Sequence, residues 1–505
     1  MNGRWVLAAT ILASSMAFID GTVVNVALPF LQSALHATAI GIQWVVEAYA
    51  LFLSALLLVG GSLGDRYGRR KIFNIGVVVF AIASAACGFA ANIEQLIAAR
   101  AVQGIGGALL VPGSLALISS SFNEKERGKA IGTWSGFSAI TTAIGPVMGG
   151  WLVEHVSWRA VFFLNLPLAL AVLVISIWRV PESREENQPA RLDWHGAALA
   201  TLGLGALVYG LIESPRVGFS NPIVLVTLIG GVAALIIFVV HEARARNPMV
   251  PLHLFRSKDF AGANLLTLLL YAALGGMMLF FSLNLVQVQG YSATAAGAAL
   301  LPMIAIMFSL SRWSGGLIDR FGARLPLIVG PLIVTVAFIL FAVPSVSPNY
   351  WTSFFPAVVL FGLGMAITVA PLTTTVMGSV SEEQAGVASG INNAVSRTAG
   401  LLAIAVFGVL ILHAFSRELG TRLNAVGVDE QVRSSVYEQR VKLAGVEVPG
   451  NLDTQHREQI KEAITGSFVF GFRLIMIVSA ALSLASAFCA WGWIGKSRPA
   501  AKSRQ

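Results

Sequence analysis

Hydrophobic residues along the chain fall into long, nearly uncharged stretches that short polar segments separate. We identify fourteen such stretches, each close to the ~20 residues that a helix needs to cross a bilayer. The pattern predicts an all-α polytopic membrane protein with fourteen transmembrane helices. The stretches run over 5–30, 41–61, 73–92, 96–119, 130–153, 160–178, 195–213, 222–241, 260–284, 294–315, 325–343, 351–375, 385–412 and 466–494.

A short basic segment occurs twice, each time after the second apolar stretch of a set of six. It reads GSLGDRYGRRK at 61–71 and GGLIDRFGAR at 315–324, 254 residues later. Parallel repeats about an axis normal to the membrane are typical of carriers that place a solute site between two halves. We therefore predict an internally duplicated transporter. Its parts are two six-helix bundles with pseudo-two-fold symmetry, at 1–180 and 256–505, and two additional helices within 181–255.

One connection, 413–465, is much longer than the others. The spacing of apolar residues over 452–464 predicts a helix there. We interpret the segment as a solvated, partly helical hairpin on the outer side. A docking site for a periplasmic partner and a lid over the exit are the alternatives.

Composition and charge placement support a membrane location. Hydrophobic residues make up 56% of the chain and charged residues 12%, against about 25% charged in soluble domains. The net charge of +9 comes from Lys and Arg concentrated in the short loops on the side of the two termini, whereas the opposite short loops hold only Arg159 and Arg216. By the positive-inside rule we predict cytoplasmic termini in the cytoplasmic (inner) membrane and no nucleic-acid partner.

The sequence contains no arrangement typical of a metal centre or a catalytic site. Cys87 and Cys489 both lie inside apolar stretches, and neither has the spacing of a disulfide framework or a metal site. We expect no cofactor, no metal and no enzymatic activity. The expected partners are a small-molecule substrate, protons and membrane lipid, and we expect a monomer.

Ionisable residues are rare inside the stretches. Each costs ~2.5–3.5 kcal/mol at a helix centre on insertion scales, so such residues usually face the bundle interior and mark ion or substrate paths. Arg473, at the outer end of the last stretch, is expected to reach the interface. Arg397, near mid-membrane, could be a counter-charge or could bind backbone carbonyls. The Asp, Glu, Lys and Arg residues that lie at least four residues from either end of a stretch are Asp20, Glu47, Arg100, Arg397 and Arg473.

Three of these residues lie at similar depth. At 1.5 Å per residue, Asp20 and Glu47 sit about 21–23 Å above the cytoplasmic surface, and Arg100 is in the same outer half. Burial favours the neutral carboxyl group and a nearby Arg favours the charged one, so a change in their distance would take up or release a proton. We therefore predict a proton relay of Asp20, Glu47 and Arg100. The alternative is that the acids only bond polar neighbours and lock helix packing.

Glycine and proline mark two parts that could move. In the fifth stretch, Gly145, Pro146, Gly149 and Gly150 combine a close helix approach with a proline kink, and we predict a gate there. The basic turn contains glycines that shape it and an acid, Asp65, that could sit against a helix N-terminus, where an anion is favoured. We predict a conformational latch formed by Gly61, Gly64, Asp65, Arg66, Gly68 and Arg69, with Asp319 and Arg320 in the second copy.

Several motifs together resemble the fourteen-spanner drug:proton antiporters of the major facilitator superfamily. They are IDGTVVNVALP at 19–29, the turn at 61–71, RAVQGIGG at 100–107, GPVMGG at 145–150 and WRAVFFLNLP at 158–167. The resemblance implies that Asp20 and Arg100 join proton coupling, that Asp65 and Arg69 act in the latch, and that Pro146 belongs to the gate of an exporter. Glu47 and Ala323 depart from the family pattern.

These observations predict a proton-coupled antiporter that exports amphipathic or cationic small molecules by alternating access. The pocket is expected between the bundles, lined by Asn25, Glu47, Asn392, Asn393 and Arg397. A narrow-specificity metabolite or lipid exporter on the same fold is the alternative, and a non-transporting membrane sensor or assembly protein is a further one. The sequence leaves open the substrate, the proton stoichiometry and any periplasmic adaptor.

Overall fold

The computed structural model describes residues 3–122, 124–183, 193–246, 248–346, 349–380, 384–449 and 452–495. Within these ranges the chain is helical and contains no strand. The helices are α1 Gly3–Ala34, α2 Ala39–Tyr67, α3 Arg69–Phe89, α4 Ile93–Ser121, α5 Glu124–His155, α6 Ala160–Phe163, α7 Asn165–Arg179, α8 Trp194–Val217, α9 Pro222–Arg244, α10 Lys258–Leu283, α11 Ala293–Ala298, α12 Leu301–Gly315, α13 Leu317–Phe321, α14 Arg324–Phe341, α15 Tyr350–Ser353, α16 Phe355–Gly378, α17 Ala385–Val426, α18 Glu430–Glu438 and α19 Thr454–Trp493.

The predicted fold class is confirmed. Among the described residues, 13 helical segments are long and apolar enough to cross a membrane, and α5, a helix of 32 residues, corresponds to the remaining predicted span. Helices are favoured because a bilayer core supplies no water to the backbone, so every N–H and C=O group must bond within its own segment.

The helices pack mainly within two groups. In the first, α4 packs on α2 and α3, and α1 packs on α5 and α7. In the second, α14 packs on α16 and α19, and α10 packs on α17 and α19. The helices α8 and α9 pack on each other, and α8 also contacts α2 and α17. Helices α2 and α17 touch directly, so they form one of the contacts between the two groups.

The connection predicted at 413–465 is much shorter than expected. Helix α17 continues to Val426 and α19 begins at Thr454, so the helical prediction for 452–464 holds. The turn of 3₁₀ helix Gln439–Gly445 folds back onto the bundle, where the Gln32 amide donates to the Lys442 carbonyl at 3.0 Å. Leu443 in this turn is 2% exposed. The hairpin is therefore packed against α1 rather than fully solvated.

The repeated basic segment is also more helical than predicted. Helix α2 runs through Tyr67, and Gly64 lies inside it, accepting the N–H of Gly68 at 3.1 Å. Only Gly68, with φ of 109°, breaks the helix before α3 begins. Gly322, with φ of 72°, has the equivalent position in the second copy. Each turn is thus made by one glycine, since a positive φ is unfavourable for residues with a Cβ.

Candidate functional site

Asp20 and Arg100 form an ion pair inside the first group of helices. The Arg100 Nη1 atom donates to Asp20 Oδ2 at 2.5 Å. Both residues are only 1% exposed, although α1 and α4 bring them from positions 80 residues apart. Such a pair is stable in a low-dielectric interior only when the remaining polar atoms are also bonded.

Three polar side chains complete the site around the pair. Gln103 Nε2 donates to Asp20 Oδ1 at 2.8 Å, and Gln103 Oε1 accepts from Arg100 Nη1 at 2.6 Å. Asn165 Nδ2 donates to Asp20 Oδ1 at 3.3 Å and to Ser84 Oγ at 2.9 Å. The Ser84 hydroxyl in turn donates to the Phe162 carbonyl at 3.0 Å. The Asp20 carboxylate therefore accepts hydrogen bonds from an arginine and two amides.

Arg100 also connects the site to α2. Its Nε atom donates to the Val45 carbonyl at 3.0 Å, and its guanidinium lies 4.3 Å from the centre of the Tyr49 ring. A guanidinium over an aromatic face is attracted by the ring's quadrupole. Val45 and Tyr49 are one turn apart on α2, so this helix carries a continuous contact surface for Arg100.

The arrangement has one direct chemical consequence. A proton taken up by Asp20 would cancel the charge that holds the Arg100 guanidinium and would weaken the bonds to Gln103 and Asn165. Because Arg100 also binds Val45 and Tyr49, this change would alter the contacts between Arg100 and α2. The site can therefore couple protonation to the position of a helix that contacts the second group.

Glu47, predicted to join Asp20 and Arg100 in a proton relay, makes no hydrogen bond to either residue in this conformation. Glu47 is 0% exposed, but neither of its carboxylate oxygens has a hydrogen-bond partner among the described residues. The reason is the helical period: Val45 and Tyr49 face α4, whereas Glu47 is rotated away from both. The depth of Glu47 in the membrane, which is similar to that of Asp20, does not determine the face of α2 on which the Glu47 carboxyl group lies.

The other predicted pocket residues have different surroundings. Asn25 is half-buried, and its amide donates to the Gly21 carbonyl at 2.9 Å. Asn392 donates to Asn264 Oδ1 at 3.1 Å and Thr267 Oγ1 at 2.7 Å of α10, so it joins helices within the second group. Asn393 is exposed and Arg397 is half-buried. The structure thus separates these residues, and Asn392 acts in helix packing.

The predicted gate residues lie in close helix contacts. A Cβ on Gly145 would overlap Thr22 Oγ1, and one on Gly149 would come within 2.7 Å of Val23. Gly150 faces the second group, where a Cβ would lie 2.7 Å from the Thr294 Cα. Similarly, a Cβ on Gly297 would overlap the carbonyl of Pro146. Helix α5 therefore packs tightly on α1 through one face and on α11 through another.

A polar contact joins α5 and α11 at the same end of the bundle. The Glu154 carboxylate accepts from the Thr294 hydroxyl at 2.6 Å and from the Thr294 N–H at 3.2 Å. This end is opposite the two chain termini, and Gln32 also bonds Gln287 across the two groups there, at 2.8 Å. The two groups are therefore held together at the end away from the termini.

The predicted latch contains an acid that sequence reasoning missed. The Glu182 carboxylate accepts from the N–H groups of Arg70 at 2.9 Å and Lys71 at 3.2 Å, so it binds the N-terminus of α3. A Cβ on Gly68 would lie 2.8 Å from this carboxyl group. The side chains of Asp65 and Asp319 lie outside the described part of the structure. The structure places Arg66, Arg69 and Arg320 beside the turns, and Gly61 inside α2 against Pro112.

Comparison with known proteins identifies the family. A profile described as "Major Facilitator Superfamily" matches residues 10–404. The chain belongs to the major facilitator superfamily. It is therefore a multi-pass membrane transporter and not an enzyme.

Relatives in this superfamily are resistance and export proteins. The chain is 34% identical over 498 residues to the tetracenomycin C resistance and export protein of Streptomyces glaucescens, covering 96% of this chain and 91% of that protein. It is 35% identical over 501 residues to the multidrug resistance protein Stp of Mycobacterium tuberculosis, with coverage of 96% and 91%. The drug efflux pump JefA of Mycobacterium tuberculosis is 30% identical over 502 residues, with coverage of 97% for each chain.

Solved structures with the same fold have lower identity. A bacterial homologue of the lysosomal transporter Spinster aligns with a TM-score of 0.65 at 18% identity, over 97% of this chain and 98% of that chain. A D-xylose–proton symporter aligns with a TM-score of 0.62 at 13% identity, over 98% of each chain. These likenesses establish the superfamily fold.

Four residues of the site were not predicted: Ser84, Gln103, Asn165 and Tyr49. Gln103 and Asn165 stand within the motifs RAVQGIGG and WRAVFFLNLP, so the signal was an amide inside an apolar span. Gln103 lies three residues after Arg100, which places both on one face of α4. Ser84 carries no sequence signal that separates it from the many other serines in the spans.

Proposed function

We propose that this superfamily member is a proton-coupled antiporter that exports amphipathic or cationic small molecules by alternating access. The observation that carries the proposal is the buried Asp20–Arg100 pair with its amide partners, bonded in turn to α2. A fully buried ion pair inside a membrane protein has a high energetic cost. The names of the relatives, which include resistance, export and drug efflux, support the direction of transport.

The proposed cycle uses the contacts between the halves. In the conformation described, α5 and α11 close the end away from the termini, and the Asp20 carboxyl group is bonded to Arg100. Protonation of Asp20 weakens the electrostatic attraction between its carboxyl group and Arg100. This loss changes the contact of Arg100 with α2. Since α2 also packs on α17, the change reaches the interface that must open for the second half of the cycle.

The test is compound-driven proton movement in proteoliposomes that contain a trapped pH dye. Under an imposed proton gradient, we expect candidate drugs to trigger proton flux through the wild-type protein and not through Asp20→Asn. The matched control is Asp429→Asn, because Asp429 is exposed and its side chain makes no capping hydrogen bond. Normal export by Asp20→Asn over a range of pH would contradict the proposal.

A narrow-specificity exporter is the second candidate, and the names of some relatives favour it. Tetracenomycin C, methylenomycin A and puromycin each name one resistance protein among the relatives. The same proteoliposome assay with a panel of unrelated compounds separates the two. Flux with compounds of several chemical classes supports multidrug export, whereas flux with one class supports the narrow exporter.

A further inference from the structure

Two buried carboxyl groups meet where α8 begins and α9 ends, on the same side as the chain termini. The Asp193 side chain is 6% exposed, and Glu242 is 2% exposed. A Cβ built on Gly196 would lie 2.6 Å from Asp193 Oδ2 and 2.7 Å from Glu242 Oε1. Both oxygens therefore border one point, and the two carboxyl groups lie within hydrogen-bonding reach of each other.

The second oxygen of each carboxyl group already has a donor. Asp193 Oδ1 accepts from the Gly196 N–H at 2.8 Å and lies 2.8 Å from His241 Nε2. Glu242 Oε2 accepts from the Val250 N–H at 2.8 Å. Asp193 Oδ2 and Glu242 Oε1, in contrast, have no donor among the described residues. Two buried acceptor atoms that face each other are satisfied when one of them carries a hydrogen.

A proton fits between these two oxygens. Two carboxylates in contact cannot both be ionised, so one of them keeps a proton. A metal ion does not fit, because His241 Nε2 already bonds Asp193 Oδ1 and the described His, Cys, Asp and Glu side chains form no group of three suited to a metal. Asp193 has two partners on Oδ1, whereas Glu242 has one N–H donor. The proton therefore lies on Glu242 Oε1 and is donated to Asp193 Oδ2.

The surroundings of the pair contain few other titratable groups. Helices α2 and α17 also pack on α8, but they carry no titratable residue over 51–64 and 385–396. The ring of His241 is 6.0 Å from that of His195, measured between centroids. The other charged or titratable residues at these ends of α8 and α9 are exposed: His195, Arg244 and Arg246. The side chains on this side that lie outside the described residues are Asp65, Arg191, Glu382 and Glu383.

The pair connects three parts of the chain. Asp193 is the N-cap of α8, and Glu242 lies in the last turn of α9. The Val250 N–H that Glu242 binds precedes the 3₁₀ turn Leu252–Arg256, which leads into α10 of the second group. Helix α8 itself contacts α2 of the first group and α17 of the second. A change at this junction therefore reaches the connection to the second group and the helix that touches both groups.

We propose that Asp193 and Glu242 bind one proton between them and that this proton joins α8, α9 and the connection to α10. When the pH on the side of the termini rises, the pair releases the proton to water. Both carboxylates are then ionised, and their repulsion separates Glu242 from Asp193. The site is distinct from Asp20, and the inference does not depend on the proposed antiport.

Infrared spectroscopy of the purified protein tests the proton directly, because a protonated carboxyl group has its own C=O stretching band. At neutral pH, Glu242→Gln should lose the band of one carboxyl group relative to the wild-type protein. Asp193→Asn should lose the same band, since its amide can donate to Glu242 and the glutamate no longer needs a proton. Both substitutions keep the shape of the side chain, and Asn is a good N-cap for α8.

The matched control for the spectra is Glu94→Gln, because Glu94 is exposed. It should keep the wild-type band at neutral pH. Loss of the band in Glu242→Gln alone would show that Glu242 is neutral without Asp193, which would overturn the shared proton. An unchanged band in both variants of the pair would also overturn it.

Hydrogen exchange of the peptide that contains Val250 tests the effect on the junction. Glu242→Gln is the reference, because its amide can accept from Val250 and donate to Asp193 at every pH. At neutral pH the two proteins should exchange at similar rates. In alkaline buffer the wild-type protein should exchange about tenfold faster or more, since coupled carboxyl groups interact by more than about one pKa unit. A ratio of rates that does not change with pH would overturn the proposal.

Discussion

The Asp20 carboxylate lies 2.5 Å from the Arg100 guanidinium, and both residues are shielded from solvent. Under the proposed function Asp20 exchanges a proton, and in the structure it also neutralises a buried cation. Removing one partner of a buried pair leaves an uncompensated charge, which typically costs about 3–5 kcal/mol. Transport and stability must accordingly be measured together in variants of this site.

We expect Asp20→Asn and Arg100→Gln each to lower the thermal unfolding midpoint of the detergent-purified protein. The double variant should be more stable than the sum of the single effects predicts, because it buries no unpaired charge. Midpoints from tryptophan fluorescence or from the loss of monodisperse protein will show this. Additive destabilisation would mean that the two side chains do not depend on each other.

Gly68→Ala should destabilise the junction of α2 and α3. The φ of 109° at Gly68 belongs to a region where a residue with a side chain is strained by about 1–3 kcal/mol. A methyl group there would also displace Glu182 from the N-terminus of α3. Gly61→Ala is the control, because its Cβ would meet Pro112 at an ordinary 3.7 Å. The unfolding midpoint should fall for Gly68→Ala and stay nearly unchanged for Gly61→Ala.

Gly150→Ala should favour the conformation in which the end away from the termini is open. Its methyl group would meet Thr294 Cα at 2.7 Å, and overpacking of this kind costs about 1–3 kcal/mol. Only the closed conformation is destabilised by this clash, because the contact lies between the two halves. A cysteine at Asn25 should then be labelled faster by an impermeant maleimide added on that side.

The matched control for this experiment is Gly149→Ala. Its methyl group would meet Val23 of α1 at 2.7 Å, so the clash lies within the first half and is present in both conformations. We expect lower stability without faster labelling of the cysteine at Asn25. Equal acceleration by both variants would show that α5 packing in general, and not its contact with α11, controls access.

The contacts of Asp193 at the start of α8 predict that this residue contributes to the stability of the protein in a pH-dependent way. Its Oδ1 atom accepts from the Gly196 N–H at 2.8 Å, and it lies 2.8 Å from His241 Nε2. Burial of the carboxyl group raises its pKa, but the Gly196 N–H and the His241 ring together bring the pKa of Asp193 below its ordinary value. A carboxyl group with a lowered pKa stabilises the fold above its unfolded pKa of about 3.9. This contribution is lost as pH falls through the folded value.

Asp193→Ala should therefore lower the stability at neutral pH by about 0.5–2 kcal/mol, the usual cost of losing an N-cap. The difference from the wild-type protein should shrink in acid, as pH falls from about 4 through the lowered pKa of the wild-type carboxyl group. Thermal midpoints of both proteins over a pH series will test this. The exposed Asp429, substituted in the same way, should show no such dependence. A deficit that does not change with pH would exclude the ionised carboxyl group as its cause.

The sequence by itself determined the class of fold, the number of long helices, the repeat and three of the buried charges, Asp20, Glu47 and Arg100. A bilayer imposes these features locally, because each span must be apolar over its own length and each ionisable residue inside it is conspicuous. Asp20 and Arg100 could be recognised in this way. Membership in the superfamily could also be expected from the motifs at 19–29, 100–107 and 145–150.

Only the tertiary structure decided which of these residues meet. Depth in the membrane follows from position along a helix, but the partner of a side chain depends on how each helix is rotated and which neighbour it packs against. Rotation of α2 turns Tyr49 towards Arg100 and Glu47 away from it. The same limit applies to Glu182, which reaches α3 from the far end of α7. Contacts between distant segments are set by the packing of whole helices, and no local pattern records them.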